Sequence, residues 1–214
     1  MKKLGRDNVF SHFTNEVQRD SLKAEMVFKV SQEMEKVLEH LHIDWENDPS
    51  MKETPHRVAK LLVEVMRGRF DPKPEIKDFE NTLHVDQLYT VGPIEIRSMC
   101  SHHLVPIIGE AWYGIIPNED GRLLGLSKFA RLADWIFARP HMQEEATKML
   151  ADEVESITKS RGLAVMIRAK HMCTVWRGVK QSNSAMITSD VRGLLRTDSS
   201  ARNEFIQTIK GLGF

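Results

Sequence analysis

The chain has 214 residues, 41% of them apolar and 28% charged, an ordinary balance for a globular protein with a core of its own. Thirty Lys+Arg offset thirty Asp+Glu, so the formal net charge is zero. This argues against bulk nucleic-acid binding but leaves room for a local basic pocket. No run approaches the roughly 18 apolar residues of a membrane span, and the basic N-terminus MKKLGRDNVF lacks the apolar stretch of a secretory signal. Two cysteines, Cys100 and Cys173, make no disulfide framework, so a cytoplasmic location without membrane association is expected.

Residues 1 to about 20 are polar and unpatterned and read as a loose arm. Leu22, Met26, Val30, Met34, Val37 and Leu41 then recur at helical spacing. After the break at Asn47-Asp48-Pro49-Ser50, a second helix is expected with Thr54 as N-cap and Pro55 at its first position. Val58, Leu61, Leu62, Val65 and Met66 form its apolar stripe, and Gly68 ends it. The segment Asp71-Pro72-Lys73-Pro74 reads as a connection.

From about residue 86 the period changes to two. Strands are expected over Leu88–Met99, with Pro93 marking an edge or bulge, and over Leu104–Ile116, followed by turn chemistry at Asn118–Gly121. Ser127 can cap a helix carrying Phe129, Leu132 and Ile136, and a further helix runs from about Met142 to Gly162. Leu163, Val165, Ile167 and Ala169 alternate with Arg168 and Lys170 in the clearest strand, and a last strand is placed at Ser184–Ser189. The division expected is an N-terminal arm and helical region, 1–85, and a second domain, 86–214. The order strand, strand, helix, helix, strand, strand argues for an α+β layer, an antiparallel four-stranded sheet with two helices on one face.

Cys100-Ser101-His102-His103 and His171-Met172-Cys173 put histidines beside both cysteines. His171 and Cys173 continue the face of the strand begun by Leu163 and Val165, and Cys100 and His103 are close enough in a short corner to grip one ion. Thiolate with imidazole suits zinc. The set offers two thiolates and up to three imidazoles; if one imidazole binds, a fourth position is left for water, the catalytic arrangement. A buried pair of free cysteines and a Cys100–Cys173 disulfide are the bland alternatives. Ser127, Lys128 and Arg131 open a helix, where free N–H groups and added cations suit phosphate, and Arg177 and Lys180 follow Cys173 closely. Gln143 and Glu144 open the next helix, where a carboxylate complements the helix dipole and would also suit the N–H edge of a guanine.

Five segments, MKETPHRVAK at 51–60, CSHH at 100–103, GLSKFAR at 125–131, RPHMQE at 139–144 and HMCTVWRG at 171–178, resemble GTP cyclohydrolase I in order and spacing. The resemblance implies the tunnelling fold for the second domain, preceded by a helical region, and homo-oligomeric rings, typically decamers, with active sites between subunits. It implies that Cys100, His103 and Cys173 hold zinc, that His102 and His171 are catalytic, and that Glu144 and Gln143 bind guanine. Ser127, Lys128, Arg131, Arg177 and Arg57 correspond to ribose and triphosphate contacts, Arg57 from a neighbouring subunit. The implied reaction is zinc-dependent hydrolysis of GTP to 7,8-dihydroneopterin triphosphate and formate, the first step of pterin, folate-type or deazapurine biosynthesis. The family usually reads Cys-Glu-His-His, and here Ser101 takes the second place, so a carboxylate close to the ion is missing. Another tunnelling-fold purine or pterin enzyme is disfavoured by the cations Lys128, Arg131 and Arg177. A catalytically silent, zinc-stabilised scaffold is disfavoured by His102 and His171.

Overall fold

The computed structural model describes residues 16–214. The polar arm expected at the N-terminus lies outside these residues up to position 15, and from Glu16 the chain is already helical. The chain divides into two compact units, 1–72 and 73–214. Among the described residues no helix is long and apolar enough to cross a membrane.

The first unit holds two helices, α1 (Glu16–His40) and α2 (Thr54–Val65), and a short 3-10 turn at Arg67–Arg69. Steps of four from Leu22 through Met26, Val30 and Met34 lead to Leu38, which is buried, whereas Val37 and Leu41 are exposed. In α2 the buried positions are Pro55, Ala59 and Val63. The expected cap at Thr54 is not found: Glu53 precedes the helix with no side-chain cap, and Thr54 is its first residue. Pro55 still sits in the first turn, where its missing N–H costs no hydrogen bond.

The second unit is built on a five-stranded sheet. Its strands are β2 (Tyr89–Cys100), β3 (Pro106–Ile116), β5 (Pro140–His141), β6 (Gly162–His171) and β7 (Met186–Gly193), in the order β5-β2-β3-β6-β7. β2, β3, β6 and β7 pair antiparallel, which is the four-stranded ββααββ frame of the tunnelling fold. The two-residue β5 adds to it in parallel, through Met99↔Pro140 and Cys100↔His141. Pro93 lies at the irregularity between Val91 and Ile94, after a cis Gly92–Pro93 bond. Two strands of three residues, β1 (Asp78–Glu80) and β4 (Arg122–Leu124), form a separate ribbon clamped by Arg122, which donates to Asp78 at 2.6 Å and Glu80 at 3.1 Å.

One face of the sheet is covered by α3 (Leu126–Phe137) and α4 (Gln143–Thr158). Phe129, Leu132 and Ile136 of α3 and Ala146, Leu150 and Val154 of α4 pack on Ile107, Tyr113, Val165 and Ile167 in one continuous core. The C-terminal helices α6 (Leu194–Thr197) and α7 (Ser199–Gly211) lie beyond the reach of the sequence reading and cover part of the opposite face. Leu195, Phe205 and Ile209 meet Trp112, Ile116 and Ala164 there. The ring of Phe205 fills the place where a Cβ on Gly114 would stand, 2.6 Å away, so only glycine fits that strand position.

Arg192 ties β7 to α4. Its guanidinium, 18% exposed, donates to Asp152, Glu155 and Asp190 at 2.7 Å each. Burial pushes the Asp152 carboxyl up, but hydrogen bonds from Arg192 and Lys148 outweigh it and hold the group below the usual carboxylate range. A depressed carboxylate contributes stability that is complete above its unfolded pKa of about 3.9 and is lost as pH falls through the folded value. Arg192→Ala is therefore expected to cost about 1–2 kcal/mol at neutral pH, since the acids are partly solvated. Urea unfolding midpoints should show that deficit at pH 7 and a smaller one near pH 3; an equal deficit at both would remove the ionic account.

Candidate active site and metal centre

Cys100 is the last residue of β2, and the corner after it is held by the main chain. Cys100 N–H donates to Val105 C=O at 2.9 Å, Leu104 N–H to Cys100 C=O at 2.9 Å, and Ser101 N–H to His141 C=O at 3.3 Å. Leu104 takes a left-handed φ of 52°, an uncommon state for a residue with a side chain. The corner thus fixes the backbone from which His102 and His103 project. Their ring centroids are 6.3 Å apart with the planes at 76°, edge to face, and of the two only His103 falls in the group of possible metal ligands. His103 turns to Cys100, with Nδ1 3.7 Å from Sγ.

The second half of the centre comes from the end of β6. His171 is its last residue, opposite Ile107 of β3. The strand does not continue to Cys173 as expected: residues Met172–Val175 form a single helical turn, α5. Thr174 Oγ1 donates to His171 C=O at 2.9 Å and Trp176 N–H to Met172 C=O at 3.0 Å, which closes the turn. Cys173 nevertheless joins Cys100 and His103, and the ligand atoms of the three lie within 4.8 Å of one another. Both cysteines are free thiols.

This group could hold a metal ion. Two sulfurs and one imidazole nitrogen around a tetrahedral ion sit roughly 3.5–3.8 Å from one another, given bonds of about 2.3 and 2.0 Å. The Cys100–His103 separation of 3.7 Å already matches that edge. Burial, followed by the adjacent Cys100 sulfur, raises the Cys173 thiol, while Arg177 opposes the rise. A bound metal ion would be the cation that offsets this rise and draws the proton from the Cys173 thiol. Cys100 is 3% exposed and His103 open to solvent, so the group is anchored in the core and reachable from outside.

Beside this centre, His171 is tied to the start of α4. Its Nε2 lies 2.8 Å from Gln143 Oε1. Burial lowers the His171 pKa, and the charge of Glu144, in the first turn of α4, works against that shift. The structure therefore gathers Cys100, His103 and Cys173 in one cluster and links His171 to Gln143 and Glu144. Arg177 stands just beyond α5, exposed, and acts on Cys173 through its charge.

Ser127, Lys128 and Arg131 occupy the first turns of α3. Ser127 is not the cap: Gly125 precedes the helix without a side-chain cap, and Ser127 and Arg131 face solvent. Arg57 is an exposed residue of α2 in the first unit. Two features escaped the sequence reading. His141 donates from Nε2 to Ile136 C=O at 2.6 Å and lines up against Cys100, so a two-residue strand steadies the corner after Cys100. Thr147 and the half-buried Thr188 join Gln143 in a polar group, with no short-range motif to signal it.

The sequence model of the GTP cyclohydrolase I family matches residues 30–210. The GTP cyclohydrolase 1 of Pseudoalteromonas translucida (strain TAC 125) is 42% identical over 166 residues, 77% of this chain and 89% of that protein. The GTP cyclohydrolase 1 of Caldanaerobacter subterraneus subsp. tengcongensis is 39% identical over 182 residues, 85% of this chain and 95% of that one. The GTP cyclohydrolase 1 of Streptomyces avermitilis is 40% identical over 159 residues, 74% and 79% of the two chains.

Proposed function

This chain belongs to the GTP cyclohydrolase I family of enzymes, and on that premise we propose that it converts GTP to 7,8-dihydroneopterin triphosphate and formate with the help of one zinc ion per subunit. The observation that carries the reading is the convergence of Cys100, His103 and Cys173 next to the His171–Gln143 pair. The zinc would be held by those three residues and would supply an activated water at neutral pH.

The chain's own groups provide the rest. Glu144, solvent-facing in the first turn of α4, accepts the N–H edge of guanine. Gln143 contributes a main-chain N–H from the start of the same helix, where such groups lack an intrahelical partner. The first turns of α3, with Ser127, Lys128 and Arg131, and Arg177 beyond α5, take the ribose and triphosphate, where free helix N–H groups and cations favour anions. Arg57 reaches a triphosphate from a neighbouring subunit of a homo-oligomeric ring of ten, in which the sites form between subunits. Together these contacts bring C8 of the base to the metal centre. His102 and His171 remain as the proton-transfer groups, because their rings are free of the ligand set, and they serve protonation of the purine nitrogen as the five-membered ring opens. The rearranged ribose then closes on the freed amino group to give the pterin. The enzyme acts in the cytoplasm, at the head of a pterin, folate-type or deazapurine route.

Incubation of the purified protein with GTP tests the reading directly. Pterin fluorescence should develop after oxidation of the product, vanish with a zinc chelator and return when zinc is restored. GTP left intact by the zinc-loaded protein would reject it.

A further inference from the structure

Gln143 is 2% exposed, and every polar atom of its side chain has a partner. Its Nε2 lies 3.1 Å from Met186 C=O, 3.3 Å from Ile167 C=O and 3.0 Å from Thr188 Oγ1. Carbonyl oxygens cannot donate, so the NH2 end must face them; a flipped amide would set its oxygen against two others. The hydroxyls agree with this orientation. Thr147 Oγ1 donates to Gln143 C=O at 2.7 Å, which uses its one proton. Thr188, 2.7 Å from Thr147, must then donate to it and keeps its lone pairs for the Gln143 amide. The direction of every bond in the group is thereby fixed, and Gln143 Oε1 is an acceptor aimed at His171 Nε2, 2.8 Å away.

We propose that Gln143 is a positioning residue: its side chain does not read the guanine but holds His171 in the tautomer with hydrogen on Nε2, leaving Nδ1 as the nitrogen that exchanges a proton with the substrate. The proposal deepens the reading of His171 as a proton-transfer group and rests on it for the last step. Its geometric part stands by itself. A neutral imidazole carries one hydrogen, and a fixed acceptor on one nitrogen decides where it goes. Without Gln143 both tautomers would be populated, and a fraction of the molecules would present a hydrogen where a lone pair is needed. A general acid or base is worth about 10²–10⁴-fold, and losing its preferred tautomer forfeits part of that.

The test is a long-range proton–nitrogen correlation spectrum of the zinc-loaded protein labelled with 15N-histidine, at a pH where His171 is neutral, with His171 assigned by its loss in His171→Gln. The expected pattern is a protonated-type Nε2 and a bare-type Nδ1. The reverse pattern, or equal averaging, overturns the proposal. In Gln143→Ala the two nitrogens should move toward averaged shifts, and kcat should fall by roughly 10-fold or more, within the 10²–10⁴-fold worth of a general acid or base, with little change in KM for GTP. An unchanged His171 signature overturns the proposal, as does a raised KM at normal kcat, which would make the side chain a guanine contact. The wild-type spectrum needs no turnover and no altered core residue. It therefore decides the tautomer even if GTP proves not to be the substrate or Gln143→Ala fails to fold.

Discussion

Cys173→Ser is expected to lose zinc and turnover together. Three protein ligands become two, because a serine hydroxyl does not ionise at neutral pH as a metal-paired thiol does. Changes merely next to a metal ligand already cost 10–100-fold in affinity, so removing a ligand itself should cost more than about 100-fold. Cys173 is the better cysteine to change. It is half-buried on the one-turn helix α5, so the fold should survive, whereas Cys100 is 3% exposed within the main core and a hydroxyl there would disturb packing as well. Zinc counted by atomic absorption in the purified variant, beside kcat at matched concentration, checks the result. Full zinc occupancy in Cys173→Ser would remove Cys173 from the ligand set.

The second large effect separates metal binding from proton transfer. His103 faces Cys100 at 3.7 Å and belongs to the group that could hold a metal, while His102 lies outside it. His102→Ala and His171→Ala should therefore keep zinc and bind GTP, yet lose about 10²–10⁴-fold in turnover, the usual cost of removing a general acid or base. His103→Ala should release the metal instead. If His102→Ala loses zinc and His103→Ala keeps it, the two roles are exchanged at the corner.

Much of this was legible because the physics is local. The alternation of Leu163, Val165, Ile167 and Ala169 against Arg168 and Lys170 could only be a strand, and all four apolar residues are buried in the main core. Cysteine and histidine are scarce enough that their clustering at 100–103 and 171–173 stands out, and it contains the three residues that could hold a metal ion. What stayed hidden depends on tertiary partners. Three-residue strands such as β1 and β4 are too short to show a period, and their pairing spans more than forty positions of chain. Ser127 and Thr54 looked like caps by residue type, but the chain enters each helix one or two residues earlier. Cys173 looked like a strand residue because alternation was extended two positions past His171, where the backbone instead closes a helical turn. The weak stripe of α7 buries only Phe205 and Ile209, too little to be read without the face of Trp112 and Ala164 beneath it. Gln143 reads as a binding group by its position in the RPHMQE segment. That its amide is spoken for emerges only once Ile167, Met186 and Thr188 are folded around it.

The most direct measurement follows C8 of the base, the carbon that the proposed reaction removes. Given GTP labelled with 13C at C8, the zinc-loaded enzyme should release all of the label as formate, one per GTP consumed, with an unlabelled pterin triphosphate as the other product by mass spectrometry. Label retained in the nucleotide-derived product, or phosphate released in place of formate, would contradict the account.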